Sequence, residues 1–143
     1  MLKGSGKFLQ LGGRISVVLK IEFLYFDKSL CSRCKITSDN IEKSLKHLKS
    51  ALNDFGAKFE FIEKKVDEGD IKKSQTIRIN GKDIEEIINK NRQKRETSCH
   101  GCSKVIGKKV NCRSYFYKGK AYNFIPKSMI KEAIKISLLG EVK

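Results

Sequence analysis

The sequence predicts an α/β fold, a central mixed sheet flanked by helices with a cysteine-containing loop inserted. Three observations carry that expectation. Ile15 to Phe26 is dominated by Ile, Val, Leu and Phe, as a buried strand requires. A strongly amphipathic stretch follows, with Ile41, Leu45, Leu48, Leu52 and Phe55 at i, i+4, i+7 spacing. A second alternating run, Lys58 to Val66, comes next. This β–α–β order demands a parallel strand pair joined by a right-handed crossover.

The totals bound the problem. The chain has 143 residues, 39% of them hydrophobic, with 8 Phe, 4 Tyr and no Trp. That suits one domain with its own core. No apolar run approaches the roughly 18 residues of a membrane span, so no membrane partner is expected. Residues 1–14 are glycine-rich and lack the apolar centre of a signal peptide. They are read as a flexible N-terminal extension, and residues 15–143 as the domain. Five cysteines without a secretion signal argue against a disulfide framework and for redox or metal chemistry in the cytoplasm. The net charge is +15, from 31 Lys and Arg against 16 Asp and Glu. Such a surface attracts acidic partners. The lysines are scattered and no nucleic-acid-binding motif accompanies them, so nucleic acid is not the expected partner.

At about 3.3 Å per residue the whole first run is too long for one strand of a small domain. The expected strand is Val18 to Tyr25, with Lys20 and Glu22 on its less buried face. Thr37-Ser38-Asp39-Asn40 is a cluster of N-cap residues, which sets a helix from Ser38 to Asp54, closed by Gly56. His47, between lysines, reads as a surface residue. Asp67 to Lys73 is a polar loop with a helical turn. Thr76 to Ile84 is a strand broken by the hairpin signal Asn80-Gly81. A short helix fits Glu85 to Arg95, and the aperiodic stretch Glu96 to Arg113 reads as a long loop. Ser114 to Ile125 is a second hairpin, turning at Lys118-Gly119-Lys120. Pro126 opens a last helix, Lys127 to Leu139, with Ile130, Ala133, Ile134 and Leu138 on one face and Gly140 at its end.

Cys31-Ser32-Arg33-Cys34 lies between the first strand and the first helix. A helix N-terminus stabilises a thiolate, and Lys28, Arg33 and Lys35 add positive charge. In a redox reading Cys31 is the nucleophile and Cys34 resolves the mixed disulfide. Cys99, Cys102 and Cys112 form a second thiol cluster. Three soft ligands suit zinc, another thiophilic ion or an iron–sulfur cluster, with Cys31 or Cys34 as a fourth ligand. His100 is poorly placed to share the metal of its neighbour Cys99. The other readings are a second redox pair in relay with the first, a local disulfide, or ordinary free thiols.

The order of elements resembles the thioredoxin-like fold. More closely, it is similar to an uncharacterised family of small prokaryotic thioredoxin-like proteins with a Cys-x-Arg-Cys motif. The matching stretches are Ile21 to Cys34, Ser74 to Gly81, Cys99 to Cys112 and Tyr115 to Ile130. The resemblance implies a thioredoxin-like domain over about Val18 to Leu139. The family carries no settled activity, so the reading as a thiol–disulfide oxidoreductase acting on a protein or small-molecule thiol or disulfide rests on the CxxC between strand and helix. The resemblance places Ser74-Gln75-Thr76 where thioredoxin-like proteins carry a cis-proline beside the CxxC. Here the position is Gln75, and a cis bond at a non-proline costs about 3 kcal/mol, so this loop is expected trans. The family's proline positions substrate backbone and obstructs metal ligation. Its absence weakens the oxidoreductase reading and strengthens the alternative, soft-metal binding through the CxxC pairs. A third reading is an adaptor for acidic partners in which the cysteines are structural.

Overall fold

A computed structural model describes residues 7–11, 14–29, 31–54, 56–89, 95–98, 103, 106–107 and 111–142. The side chains of residues 7–16, 72, 95–98, 112 and 141–142 lie outside that description. The main sheet is mixed and is organised around one long strand, β2 (Arg14–Tyr25). On one side β2 pairs in parallel with β3 (Ala57–Lys65), from Val17 opposite Ala57 to Tyr25 opposite Lys65. On its other side two antiparallel strands share the edge end to end. β1 (Lys7–Leu11) pairs with the first part of β2, and β4 (Thr76–Ile79) with Ile21 to Leu24. β5 (Lys82–Asp83) continues from β4. A second, antiparallel sheet contains β6 (Arg95–Ser98), β7 (Asn111–Tyr117) and β8 (Lys120–Tyr122). The helices are α1 (Ser32–Asp54), α2 (Ile84–Ile88) and α3 (Lys127–Val142), with a 3₁₀ turn at Glu68–Lys73. Among the described residues no helix is long and apolar enough to cross a membrane.

β2 is longer than the expected Val18–Tyr25 because β1 lengthens the sheet on one edge. Within residues 1–14, expected to be a flexible extension, Lys7–Leu11 is that strand. Alternate residues of β2, namely Val17, Leu19, Ile21 and Phe23, are buried in one core with Ile77 and Ile79 of β4. Ile41, Leu45 and Leu52 of α1 and Met129, Ile130, Ala133 and Ile134 of α3 complete it. Each fully buried large aliphatic side chain contributes about 1.5–3 kcal/mol. On the other face Lys20 is half-buried, as expected. Glu22 is buried but paired, accepting a hydrogen bond from Lys64 Nζ at 2.6 Å that holds its carboxyl below the usual carboxylate range.

The crossover and both hairpins follow the sequence signals. Gly56 ends α1 at φ +76°, and its N–H donates to Asn53 O. Asn80 and Gly81, at φ +52° and +82°, make the tight β4–β5 turn. The Asn80 side chain also accepts from Lys20 N–H at 2.8 Å, tying that turn to β2.

Where one helix was expected from Glu85 to Arg95, α2 ends at Ile88 and Arg95 belongs to β6. Three further boundaries differ from expectation. First, α1 begins at Ser32, ahead of the expected Ser38. The presumed caps are inside the helix because their side chains bond elsewhere. Thr37 Oγ1 donates to Gln75 Oε1, Ser38 Oγ to Glu63 Oε2, and Asn40 Nδ2 to the Ile125 carbonyl. Second, both ends of the expected loop Glu96–Arg113 are strand, since β6 pairs with β7. Third, α3 runs through Gly140 to Val142. Glycine inside a helix costs only about 1 kcal/mol, and Gly140 has no positive φ to force a stop.

Candidate functional site

The turn after β2 is built by Asp27. Its Oδ1 accepts from the Ser29 N–H and hydroxyl, at 2.8 and 2.7 Å, closing a local Asx turn. The Asp27 carbonyl then accepts from Cys31 N–H at 3.2 Å, and the Cys31 carbonyl accepts from Lys35 N–H at 3.1 Å. Cys31 therefore occupies the N-cap position of α1, and Cys34 is the helix's third residue. Neither forms a disulfide, and each is 1% exposed. They belong to the main core together with Phe26.

Hydrogen-bond donors converge on Cys34. Its Sγ lies 3.3 Å from Ser74 Oγ, a fully buried hydroxyl. Ser74 Oγ already accepts from Phe26 N–H at 3.0 Å, which leaves its own hydrogen to turn towards the sulfur. The Cys34 thiol is drawn down to about 7, first by the hydrogen bond from Cys31 and then by Ser74 and the backbone at Phe26 and Asp27. Burial opposes this and is outweighed.

The expected electrostatics are rearranged. Ser74 and the backbone at Phe26 and Asp27 donate to Cys34, the cysteine that the sequence reading casts as the resolving thiol. The principal causes of the shift are hydrogen bonds. Lys28 is engaged by Glu63 at 2.7 Å and lies over the Tyr25 ring at 5.0 Å. Arg33 is half-buried and Lys35 exposed. Position explains the difference. A charge tethered to an outward-pointing side chain is screened by water, while a buried hydroxyl and amides are fixed at contact distance.

Ser74, Gln75 and Thr76, which precede and begin β4, lie beside this dithiol. No cis peptide bond occurs among the described residues. Gln75 instead sits at φ +60°, a left-handed conformation rare outside glycine. Its completely buried side chain joins two elements. Gln75 Oε1 accepts from Thr37 Oγ1 of α1 at 2.9 Å, and Nε2 donates to the Arg113 carbonyl of β7 at 2.8 Å. The Tyr115 hydroxyl donates to the Gln75 carbonyl.

Arg113 is a site residue the sequence did not reveal. Its guanidinium donates to Thr76 Oγ1 at 2.9 Å, to both Asp83 oxygens at 2.8 and 3.1 Å, and to Glu85 Oε1 at 2.8 Å. It also lies 4.8 Å from the Tyr115 ring centroid. Burial disfavours its charge, but Tyr115, Asp83 and Glu85 outweigh that and hold Arg113 above its usual range. A lone arginine in an apparent loop gave no signal, because its carboxylate partners are 30 and 28 residues away.

The second thiol cluster is not assembled within what is described. Cys99 and Cys102, with His100, lie outside the described residues, as does the Cys112 side chain. The Cys112 backbone belongs to β7, opposite Thr97 of β6. It directly precedes Arg113, whose carbonyl is tied to Gln75. Among the described residues no group of three or more His, Cys, Asp or Glu is placed to hold a metal ion. His47 is exposed, as expected, with Nδ1 2.7 Å from Lys131 Nζ.

No curated protein and no solved structure matches this chain. One family does, over residues 19–134, from within β2 to within α3. That span takes in the Cys31–Cys34 pair, the Ser74–Thr76 loop and Arg113, and by it the chain belongs to the family described as a domain of unknown function (DUF2703).

Proposed function

We propose that this chain is a thioredoxin-like thiol redox protein in which Cys31 and Cys34 cycle between dithiol and disulfide. The fold part of this reading is supported by the order β2–α1–β3, the antiparallel β4–β5 pair, and the closing helix α3 packed beside α1. The function part rests on one observation, the buried Cys34 sulfur held 3.3 Å from Ser74 Oγ beside Cys31 at the start of α1.

Cys34 is enclosed by Cys31, Ser74, Phe26 and Asp27, so its thiolate serves as the internal base. As Cys31 attacks one sulfur of a substrate disulfide, its proton passes to Cys34. A Cys31–substrate disulfide forms and the first substrate thiolate leaves. Cys34 then gives up that proton to the departing thiolate and attacks Cys31 sulfur. The Cys31–Cys34 disulfide closes and the second substrate thiolate is released. Two electrons pass from the dithiol to the substrate. Both sulfurs are 1% exposed, so the attack requires a local opening at the start of α1.

The test is turnover of a small disulfide by reduced protein, followed by released thiol. Cys31→Ser should abolish turnover and leave the circular dichroism of the chain unchanged. Undiminished turnover in that variant sinks the proposal.

A second reading is soft-metal binding, by zinc, another thiophilic ion or an iron–sulfur cluster. It is favoured by the register that puts the Cys112 backbone one residue from the Gln75–Arg113 hydrogen bond. Cys31 and Cys34 supply two soft donors, and the remaining ligands would be Cys99, Cys102 or Cys112. Metal analysis and the visible spectrum of anaerobically prepared protein decide it. Stoichiometric metal lost on replacing Cys99 and Cys102 together supports this reading. Metal-free protein with titrating thiols removes it.

A further inference from the structure

The two residues between the cysteines, Ser32 and Arg33, form part of one wall of an open groove of about 470 Å³. Ile36, one turn further along α1, continues that wall. Opposite stand Lys120 and Tyr122 of β8 and Phe124 just beyond it. Tyr122 meets Phe124 edge-on, centroids 5.6 Å apart, and Lys120 Nζ lies 5.6 Å from the Tyr122 centroid. Ile36 is 41% exposed, a large apolar side chain left in water beside a buried dithiol. Among the described residues the groove's charged lining consists of Arg33 and Lys120, with no carboxylate.

Size and chemistry together select an occupant. The volume falls within the roughly 300–1,000 Å³ of small-molecule sites. Eight of the described residues line the groove, against the roughly 20–30 residues a side of a stable protein complex. A lining that combines Ile36, Tyr122 and Phe124 with the cations Arg33 and Lys120 suits a molecule that has an apolar body and negative ends.

We propose that this groove holds the sulfur compound on which the dithiol acts, a small disulfide carrying carboxylate groups beside an aromatic or aliphatic body. The inference rests on the redox reading above. The carboxylates meet Arg33 and Lys120, and the body lies against Ile36, Tyr122 and Phe124. Cys31 attacks one substrate sulfur and breaks the substrate's S–S bond, and Cys34 closes the intramolecular disulfide. Each substrate molecule leaves as two carboxylate-bearing halves, one a thiol holding the dithiol's proton and the other a thiolate.

Three small disulfides provide the test with the fully reduced chain in stopped flow at neutral pH. They are dithiobis(nitrobenzoate), a dianion; dithiodipyridine, a neutral aromatic; and cystamine, a dication. Each rate is divided by that of a small neutral monothiol with the same reagent, which cancels intrinsic reactivity. The normalised rate for the dianion should exceed that for the neutral aromatic by about tenfold, and that for cystamine by more. Replacing Arg33 and Lys120 together by Gln should bring the ratio of dianion to neutral aromatic close to one. Replacing Lys46 and Lys49 by Gln removes the same charge from the exposed face of α1 and should leave it unchanged. Equal normalised rates for dianion and neutral aromatic in the unmodified chain overturn the groove proposal alone. So does an equal loss in the Lys46 and Lys49 variant, which would assign the preference to the overall charge. Thiols inert to all three reagents overturn the redox reading and this inference together.

Discussion

Replacing Ser74 by Ala removes one of the donors that lower the Cys34 thiol, the next after Cys31. The substitution removes one hydroxyl, 3.3 Å from the sulfur, and leaves the helix start and the neighbouring cysteine in place. A hydrogen bond to a charged group contributes about 1.5–3 kcal/mol. One pKa unit corresponds to about 1.4 kcal/mol. The Cys34 transition should therefore rise by roughly one to two units, from about 7 towards the ordinary 9.0. The assay is the ultraviolet absorbance of the thiolate followed against pH in reduced protein. The same change removes the Phe26 N–H to Ser74 Oγ hydrogen bond, which costs about 0.5–1.5 kcal/mol of stability and is read separately by urea unfolding. Loss of stability alone does not move a thiolate transition in a chain that is still folded. A natively folded Ser74→Ala protein whose transition stays at about 7 would falsify the account given of Cys34.

Three more predictions address the surroundings. Gln75→Gly should be less destabilising than Gln75→Ala, by about 1 kcal/mol in thermal unfolding. Both lose the bonds to Thr37 and Arg113, but only glycine tolerates φ +60° without strain; equal losses would count against backbone strain at this site. Arg113→Met should cost about 3–5 kcal/mol in urea unfolding, because it leaves Asp83 and the buried Glu85 without their cation. A loss under 1 kcal/mol would show that the network is not what holds β7 to β5 and α2. Cys34 titrates lower in the folded chain than in the unfolded one, so its contribution to stability is present in full above about pH 9. It fades as pH falls and is gone below about pH 7, an amplitude of about 2–3 kcal/mol in reduced protein. Cys34→Ser should flatten that limb, and an unchanged pH profile in the variant would refute the linkage.

Particular residues show how far the sequence was legible. The β–α–β unit could be read because its signals are local and periodic. So could the two hairpins, where Asn80-Gly81 and Lys118-Gly119 need left-handed backbone that few residues supply. The start of α1 was misplaced for a definite reason. Thr37, Ser38 and Asn40 are good caps in isolation, and whether they cap depends on competing partners. Those partners, Gln75, Glu63 and Ile125, arrive from distant parts of the chain. The extent of β2 was misjudged similarly, since its length is set by β1 pairing along its edge.

The sequence by itself determined that two thiols stand at the junction of an apolar strand and an amphipathic helix. That follows from hydrophobic period and spacing, both properties of neighbouring residues. Only the tertiary structure decided which sulfur receives the donors and what lies next to it. It buries Cys31 and Cys34 alike, turns Ser74 onto Cys34, and holds Gln75 in a left-handed conformation bonded to α1 and β7. Hydrogen bonds act at contact distance, and the contacts here join residues 38 to 40 positions apart. No local pattern encodes such a meeting, so the chemistry of this dithiol is set by the folded chain.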